Sequence, residues 1–390
     1  MAKRHHSGTG LVSQVRRCQE LLLARTGVDE FYETVKLLVA KAIHERSKRT
    51  ELLNYELAQQ LLELESLNVK RFVEGPAEIL APIDVVNECL NVLRPTELES
   101  IGFEALDAAF EGMTSREAKS DKGQFFTPRH VIQFCIDVLR PKHGEAICDP
   151  ACGSAAFLHS AYEFLKDDHP ELYGFDISQR AVNTANLMSY LACGDTLNLS
   201  QIDSLQLKNA SLLWDGSATI EDFMLNTGKK FEGYDVIATN PPFAGDVSTA
   251  DFISAYETAR LSSRKVERDV LFMERCVKLL RPGGRLAIVL PDNKVSATQF
   301  APIRRWLMSQ INIVGVVSLH AFTFRPYTSQ KTAVVFGQKP INGTVAANKI
   351  NMYRSDKAGK KSNGDYLYVD GQIDDDLEPI KNDLVKKWNV

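Results

Sequence analysis

Long apolar runs are missing from this chain. Nothing among its 390 residues approaches the length of a membrane span, and Met1-Ala2-Lys3-Arg4-His5-His6 leads into no hydrophobic leader core. A cytoplasmic setting away from any membrane is therefore expected. Cysteine is sparse: seven residues, an odd number with no Cys-x-x-Cys pair, argue against a disulfide scaffold or a zinc ribbon. An excess of one charge is also lacking. At a formal net charge of −4 the whole surface is no nucleic-acid sponge. Any such contact falls to local patches, such as Arg264, Lys265 and Arg268 or Arg304 and Arg305, or to a partner. Two phosphate signatures are absent as well. Without Gly-x-Gly-x-x-Gly or Gly-x-x-x-x-Gly-Lys, neither a dinucleotide nor a nucleoside triphosphate is the expected ligand.

What is present is ordinary globular material, 44% hydrophobic and 25% charged, in a chain long enough for more than one domain. Residues 1–118 read as an all-helical N-terminal domain. Within it Phe31, Val35, Leu38, Ala42 and Ile43 recur at helical spacing with charged residues between them on an outer face. Ser120-Asp121-Lys122-Gly123 breaks the pattern. From 119 to 340 short β-rich runs alternate with helices, which predicts an α/β fold with a mostly parallel seven-stranded sheet. The candidate strands are Ala146–Asp149, Leu172–Asp176, Gln201–Asp203, Tyr234–Thr239, Arg285–Leu290, Ile313–Leu319 and Thr332–Gly337. Residues 341–390 read as a polar tail with one hairpin.

The strand ends carry the chemistry, because ligands of open α/β sheets sit at the carboxyl ends of strands. The fourth run ends in Asn240-Pro241-Pro242-Phe243. Two adjacent prolines keep their shared carbonyl out of a regular helix, so it and the Asn240 side-chain oxygen form two rigid acceptors. Together they suit both hydrogens of an exocyclic amine, with Phe243 as a flat face for its ring. The first strand ends at Asp149 and leads through Gly153 and Ser154, small enough for a ligand to approach the backbone. Asp176, at the end of the second strand, suits ribose hydroxyls, and Asp203, after the third, an adenine amino group. Turn and helix-cap roles are the bland alternatives for each residue alone. Their order along successive strands favours an adenosine moiety without phosphates, as in S-adenosyl-L-methionine.

At this point the chain resembles a known family. Gly123-Gln124-Phe125-Phe126-Thr127-Pro128-Arg129-His130, Asp149 to Phe157, Asn240 to Phe243, Leu279 to Pro291, and Pro326-Tyr327-Thr328 with Lys331-Thr332 are similar to the γ-type amino-group DNA methyltransferases. The likeness is strongest to the M (modification) subunits of type I restriction-modification systems, and the segment from Phe31 to Arg46 resembles their amino-terminal region. The resemblance covers about residues 12–338 and implies a Rossmann-like S-adenosylmethionine-dependent methyltransferase fold. It also implies that Gly123, Gln124, Phe125, Phe126, Thr127 and Pro128 close over the methionine end of the cofactor, beside Asp149 and Gly153. Asn240, the Pro241 carbonyl, Pro242 and Phe243 hold a flipped base. Asn at the first motif position is similar to the adenine-N6 enzymes rather than the cytosine-N4 enzymes, and the chemistry requires no metal.

One departure stands out: Ala155 occupies a position that is usually Gly, and Ala156 one that often is. The departure is read as lowering cofactor affinity, because every other matching motif keeps its polar groups. A catalytically weak cofactor-binding or DNA-scaffolding subunit is the alternative it motivates, and an amide N-methyltransferase of protein or RNA is another that shares Asn-Pro-Pro. The residues after Lys339 are too few for a target-recognition domain. The implied partners are therefore double-stranded DNA, a separate specificity subunit, and a restriction or translocase subunit that carries the missing nucleotide motif.

Overall fold

Capping residues set the helices of the first third. The computed structural model describes residues 7–114, 126–166, 170–194, 197–207, 218–228, 230–243, 245–247, 255–261, 266–346 and 349–388. Its opening helices include α1 (Ser7–Arg25), α2 (Glu30–Arg46), α3 (Tyr55–Leu64), α4 (Ile83–Leu93) and α5 (Phe103–Thr114). The Asp29 carboxylate accepts from the Phe31 and Tyr32 N–H groups to start α2, and Asn54 accepts from Leu57 to start α3.

The charged residues expected on an outer face of α2 are partly inside. Every residue from Phe31 to Ala42 is buried, so Glu33, Lys36 and Lys41 cannot reach bulk water. Pairing makes this tolerable. Lys36 Nζ lies 2.6 Å from Glu33 Oε1 and 2.6 Å from the Glu78 carbonyl, while Glu33 Oε2 accepts from the Leu80 and Ala81 N–H groups.

Beyond α5 the described elements are α6 (Arg129–Leu139), β1 (Ala146–Asp149), α7 (Ala156–Leu165), β2 (Glu171–Asp176), α8 (Gln179–Cys193) and β3 (Leu197–Gln201). Then come α9 (Ile220–Asn226), β4 (Tyr234–Thr239), α10 (Arg268–Leu279), β5 (Leu280–Pro291), α11 (Ala301–Gln310), β6 (Asn312–Ser318), β7 (Thr332–Gln338), β8 (Asn351–Arg354) and α12 (Leu377–Trp388). Two compact units result: Met1–Asp121 with Ser178–Leu197, and Lys122–Ile177 with Asn198–Val390. Helix α8 therefore belongs to the helical unit, although it lies between strands of the sheet in sequence. Its Leu187, Met188 and Leu191 join the helical core, and the Arg180 guanidinium stacks 3.9 Å over the Phe31 ring.

The second unit is built on an eight-stranded sheet in the order β8-β6-β7-β5-β4-β1-β2-β3. β1 pairs in parallel with β2 and β4, and β4 with β5, whereas β7 is antiparallel to both β5 and β6. Seven strands were expected, and the eighth comes from the presumed tail. β8 pairs in parallel with β6, and α12 buries Leu384 and Trp388. The described residues 349–388 are thus part of the fold: β8 closes one sheet edge by backbone pairing, with its side chains half-buried or exposed, and α12 packs a few apolar anchors among polar residues. The third strand is also shifted. It runs Leu197–Gln201 rather than Gln201–Asp203, following the Leu-Asn-Leu alternation, and Asp203 falls two residues past its end. All seven cysteines are buried and free. Among the described residues no helix is long and apolar enough to cross a membrane.

Candidate active site

At the tip of β1 the chain turns sharply into α7. Asp149 is 1% exposed, and its Oδ1 accepts from the Ala151 N–H at 3.0 Å. Burial pushes its carboxyl up to about 7, with the Asp176 charge adding to the rise, while the Thr239 side chain and the Ala151 N–H oppose it. Gly153 takes φ +52, and a Cβ there would meet nothing within 4 Å, so the loop faces open space at this residue. Its N–H donates to Asp176 Oδ2 at 3.1 Å, tying the end of β2 to the loop after β1. Ser154 is buried beside it. Ala155 is in the left-handed region, φ 64 and ψ 28, immediately before α7. The usual Gly is therefore what this backbone favours, and Ala155 carries the cost of its methyl group. Ala156 begins the helix, where the extra methyl is harmless.

Asp203 sits in the turn after β3 and holds that turn's shape. Its Oδ1 accepts from the Leu205 N–H at 3.1 Å, and its carbonyl accepts from the Gln206 N–H at 3.0 Å. The preceding Ile202 N–H donates to the Asp176 carbonyl at 2.9 Å. The three carboxylates therefore occupy consecutive strand ends, as their order in sequence anticipates.

Asn240 follows β4 directly. Its Nδ2 donates to Thr127 Oγ1 at 2.9 Å, which directs the amide oxygen to the other side. Pro241 is buried, Pro242 is half-buried, and Phe243 is buried with its ring centroid 6.1 Å from that of Phe324. Phe126 lies against Tyr327 at 6.0 Å between centroids. Pro128 precedes α6, where a residue lacking an N–H costs no helical hydrogen bond. Gly123, Gln124 and Phe125 lie outside the described residues, as do Arg264 and Lys265 of the basic cluster.

The match to known families agrees with this arrangement. A model of the N-6 DNA methylase family matches residues 105–371. The chain belongs to the N-6 DNA methylase family. The methylase subunit of the type I restriction enzyme EcoEI from Escherichia coli is 30% identical over 242 residues, covering 57% of this chain and 44% of that protein. The StySPI methylase subunit from Salmonella potsdam is 32% identical over 248 residues, covering 61% and 44%. The chain spans less than half the length of these curated relatives. Among solved structures, a type I restriction-modification methyltransferase subunit from Streptococcus thermophilus shares the fold, with a TM-score of 0.66 at 16% identity over 98% of this chain and 94% of that one.

For a member of this family, sequence reading missed the groups that support the site. The Arg275 guanidinium, 1% exposed on α10, donates through Nε to the Ser204 carbonyl at 2.6 Å and grips Glu221 with two bonds of 2.7 and 2.8 Å. The Tyr256 hydroxyl donates to the Leu205 carbonyl at 2.6 Å. Both side chains fix the turn that carries Asp203. Arg275 follows Glu274 in a helix that also carries Arg268, Asp269 and Lys278, so nothing in the sequence marked it as buried or pointed from it to residue 204.

Proposed function

We propose that this chain is the modification subunit of a type I restriction-modification or related defence system. In this reading it works in the cytoplasm and transfers methyl from S-adenosyl-L-methionine to adenine N6 in double-stranded DNA. The observation that carries the reading is Asn240-Pro241-Pro242-Phe243 at the end of β4, its amide anchored by Thr127, in a member of the N-6 DNA methylase family. The residues present fit the cofactor. Open space flanks Gly153, and the buried Asp149 suits a cationic group. Asp149, Gly153, Ser154 and the 123–128 segment would hold its methionine end, Asp176 its ribose and Asp203 its adenine. When bound, it supplies an electrophilic methyl group.

The chain's own contribution is orientation and charge stabilisation. The Asn240 side-chain oxygen and the Pro241 carbonyl accept both amine hydrogens and draw the nitrogen lone pair out of the ring. The same two oxygens stabilise the positive charge that develops on nitrogen, and one amine proton then passes to solvent. Phe243 and the neighbouring aromatic rings present flat surfaces to a base turned out of the duplex, which offset an extrusion cost of a few kcal/mol. Sequence reading would come from a separate specificity subunit, and DNA translocation or cleavage from a further subunit. The test uses labelled S-adenosylmethionine and duplex DNA. The purified chain alone is expected to methylate DNA poorly, and addition of a specificity subunit to restore N6-methyladenine at one sequence. Strong sequence-specific methylation without a partner contradicts the division of labour, and label recovered in protein or RNA contradicts the substrate.

A further inference from the structure

The C-terminal segment, presumed solvated from its composition, ties together two separate walls of the candidate site. Residues 355–376 form a tight hydrogen-bonded fold of their own. Ser355 Oγ donates to Asp376 Oδ1 at 2.6 Å, the Gly359 N–H donates to the Asp374 carbonyl at 3.1 Å, and the Leu367 N–H donates to the Gly359 carbonyl at 3.0 Å. Two side chains project from this frame. The Lys360 ammonium is buried, donates to the Arg325 carbonyl at 2.9 Å, and lies 4.8 Å from the centre of the Tyr366 ring. The Tyr366 hydroxyl accepts from the Arg129 N–H at 3.2 Å, and its ring meets the His130 ring edge-on at 6.0 Å. The frame also presses directly on the second wall: a Cβ on Gly364 would lie 2.4 Å from Pro326 Cδ.

Both contacts lead to the site within a few residues. Arg129 is two residues from Thr127, the hydrogen-bond partner of Asn240. Arg325 stands between Phe324, which faces Phe243, and Tyr327, which faces Phe126. Burying an ammonium is costly, and a charged donor fixes a loop carbonyl such as that of Arg325 more firmly than a neutral one. Burial, and then the nearby Lys360 charge, lower the His130 imidazole to about 4, so His130 is neutral here near neutral pH.

We propose that Lys360 and Tyr366 are positioning residues, coupling the 126–130 segment to the 324–327 segment so that Asn240 and Phe243 meet the target base in one fixed geometry. The inference rests on the methyl-transfer reading, and its test separates the two. The full chain with its partner is compared with Lys360→Met, Lys360→Arg and Tyr366→Phe by three readouts: cofactor affinity by calorimetry, single-turnover methyl transfer at saturating cofactor, and backbone amide exchange. For Lys360→Met the expected result is a roughly tenfold slower transfer. Amide exchange should quicken in residues 126–130 and 322–328 only, and cofactor affinity should fall less than the transfer rate, because residues 126–128 belong to the cofactor-binding set while the loops after β1 to β3 are untouched. Tyr366→Phe should show a smaller change of the same kind, and Lys360→Arg should recover most of the rate. Unchanged exchange in both segments overturns the proposal. So does faster exchange across the whole unit, the loops after β1 to β3 included, with cofactor affinity lost as far as the rate, which marks a merely structural lysine. If no form, including the unaltered chain, methylates DNA, the methyl-transfer reading fails, and the exchange data alone decide whether the two segments are coupled.

Discussion

Asp149 is the residue whose environment most constrains behaviour with pH. Its carboxyl stands at about 7 in the folded chain, against an ordinary value of 3.8. The folded state therefore holds an extra proton between these values. Stability is full below the lower value and declines as pH rises through the upper one. Denaturant unfolding at pH 5 and pH 8 should show this decline, and Asp149→Asn should flatten it. Cofactor binding should run the other way, tightening about tenfold between pH 6 and pH 8 as the carboxylate forms, if that carboxylate meets the cationic methionine end. Affinity independent of pH would remove Asp149 from the binding set. Ala155 gives a second prediction at this scale. With φ at 64 it pays for a left-handed backbone, so Ala155→Gly should stabilise the chain by about 1 kcal/mol and tighten cofactor binding. Thermal melting and calorimetry check both, and a lower melting temperature contradicts the strain argument.

Elements place these residues, and their supports lie one layer behind. Arg275 on α10 holds the turn after β3 through Ser204 and Glu221. Arg275→Met leaves a half-buried carboxylate without its guanidinium and should cost about 3–5 kcal/mol. Cofactor affinity should fall with it, because Asp203 loses its rigid turn, and Arg275→Lys should recover little because one ammonium cannot replace a planar fork. Denaturation together with cofactor titration measures both. α12 offers a parallel case in the sheet. Leu384 is fully buried, so Leu384→Ala should cost about 2–5 kcal/mol, whereas a solvated tail would register almost nothing. These two elements mark where the sequence was legible and where it was not. β1 and β4 were read with their observed bounds because short apolar runs flanked by turn residues have few alternatives. α12, with lysines and acids around a few apolar anchors, looked like solvent-facing chain; only the long-range match of Leu384 and Trp388 to the sheet makes it core. In the candidate site, the placement of Asp149 and Asp176 at strand ends and of Asn240 just past β4 was legible from the apolar runs before them. The bond from Thr127 to Asn240 spans 113 residues, and no local pattern encodes that.

At the scale of the whole molecule, the helical unit and the sheet unit divide the chain, and the match to the N-6 DNA methylase family covers most of the sheet unit and a minor part of the helical one. The chain's modest negative charge gives no general attraction to duplex DNA, which agrees with the proposed delegation of recognition to another subunit. The loss of an acceptor at Asn240 should therefore abolish methyl transfer without loosening either unit or the cofactor loops. The most direct test compares host-cell DNA from the unaltered gene with DNA from an Asn240→Ala allele, using mass spectrometry of nucleosides and single-molecule mapping of modified bases, with all natural partners present. The expected result is N6-methyladenine at a discrete sequence that disappears in the altered strain, while the purified Asn240→Ala chain still binds S-adenosylmethionine. Persistence of that mark, or its replacement by a change confined to N4-methylcytosine or to methylated protein, would contradict the clamp at the end of β4.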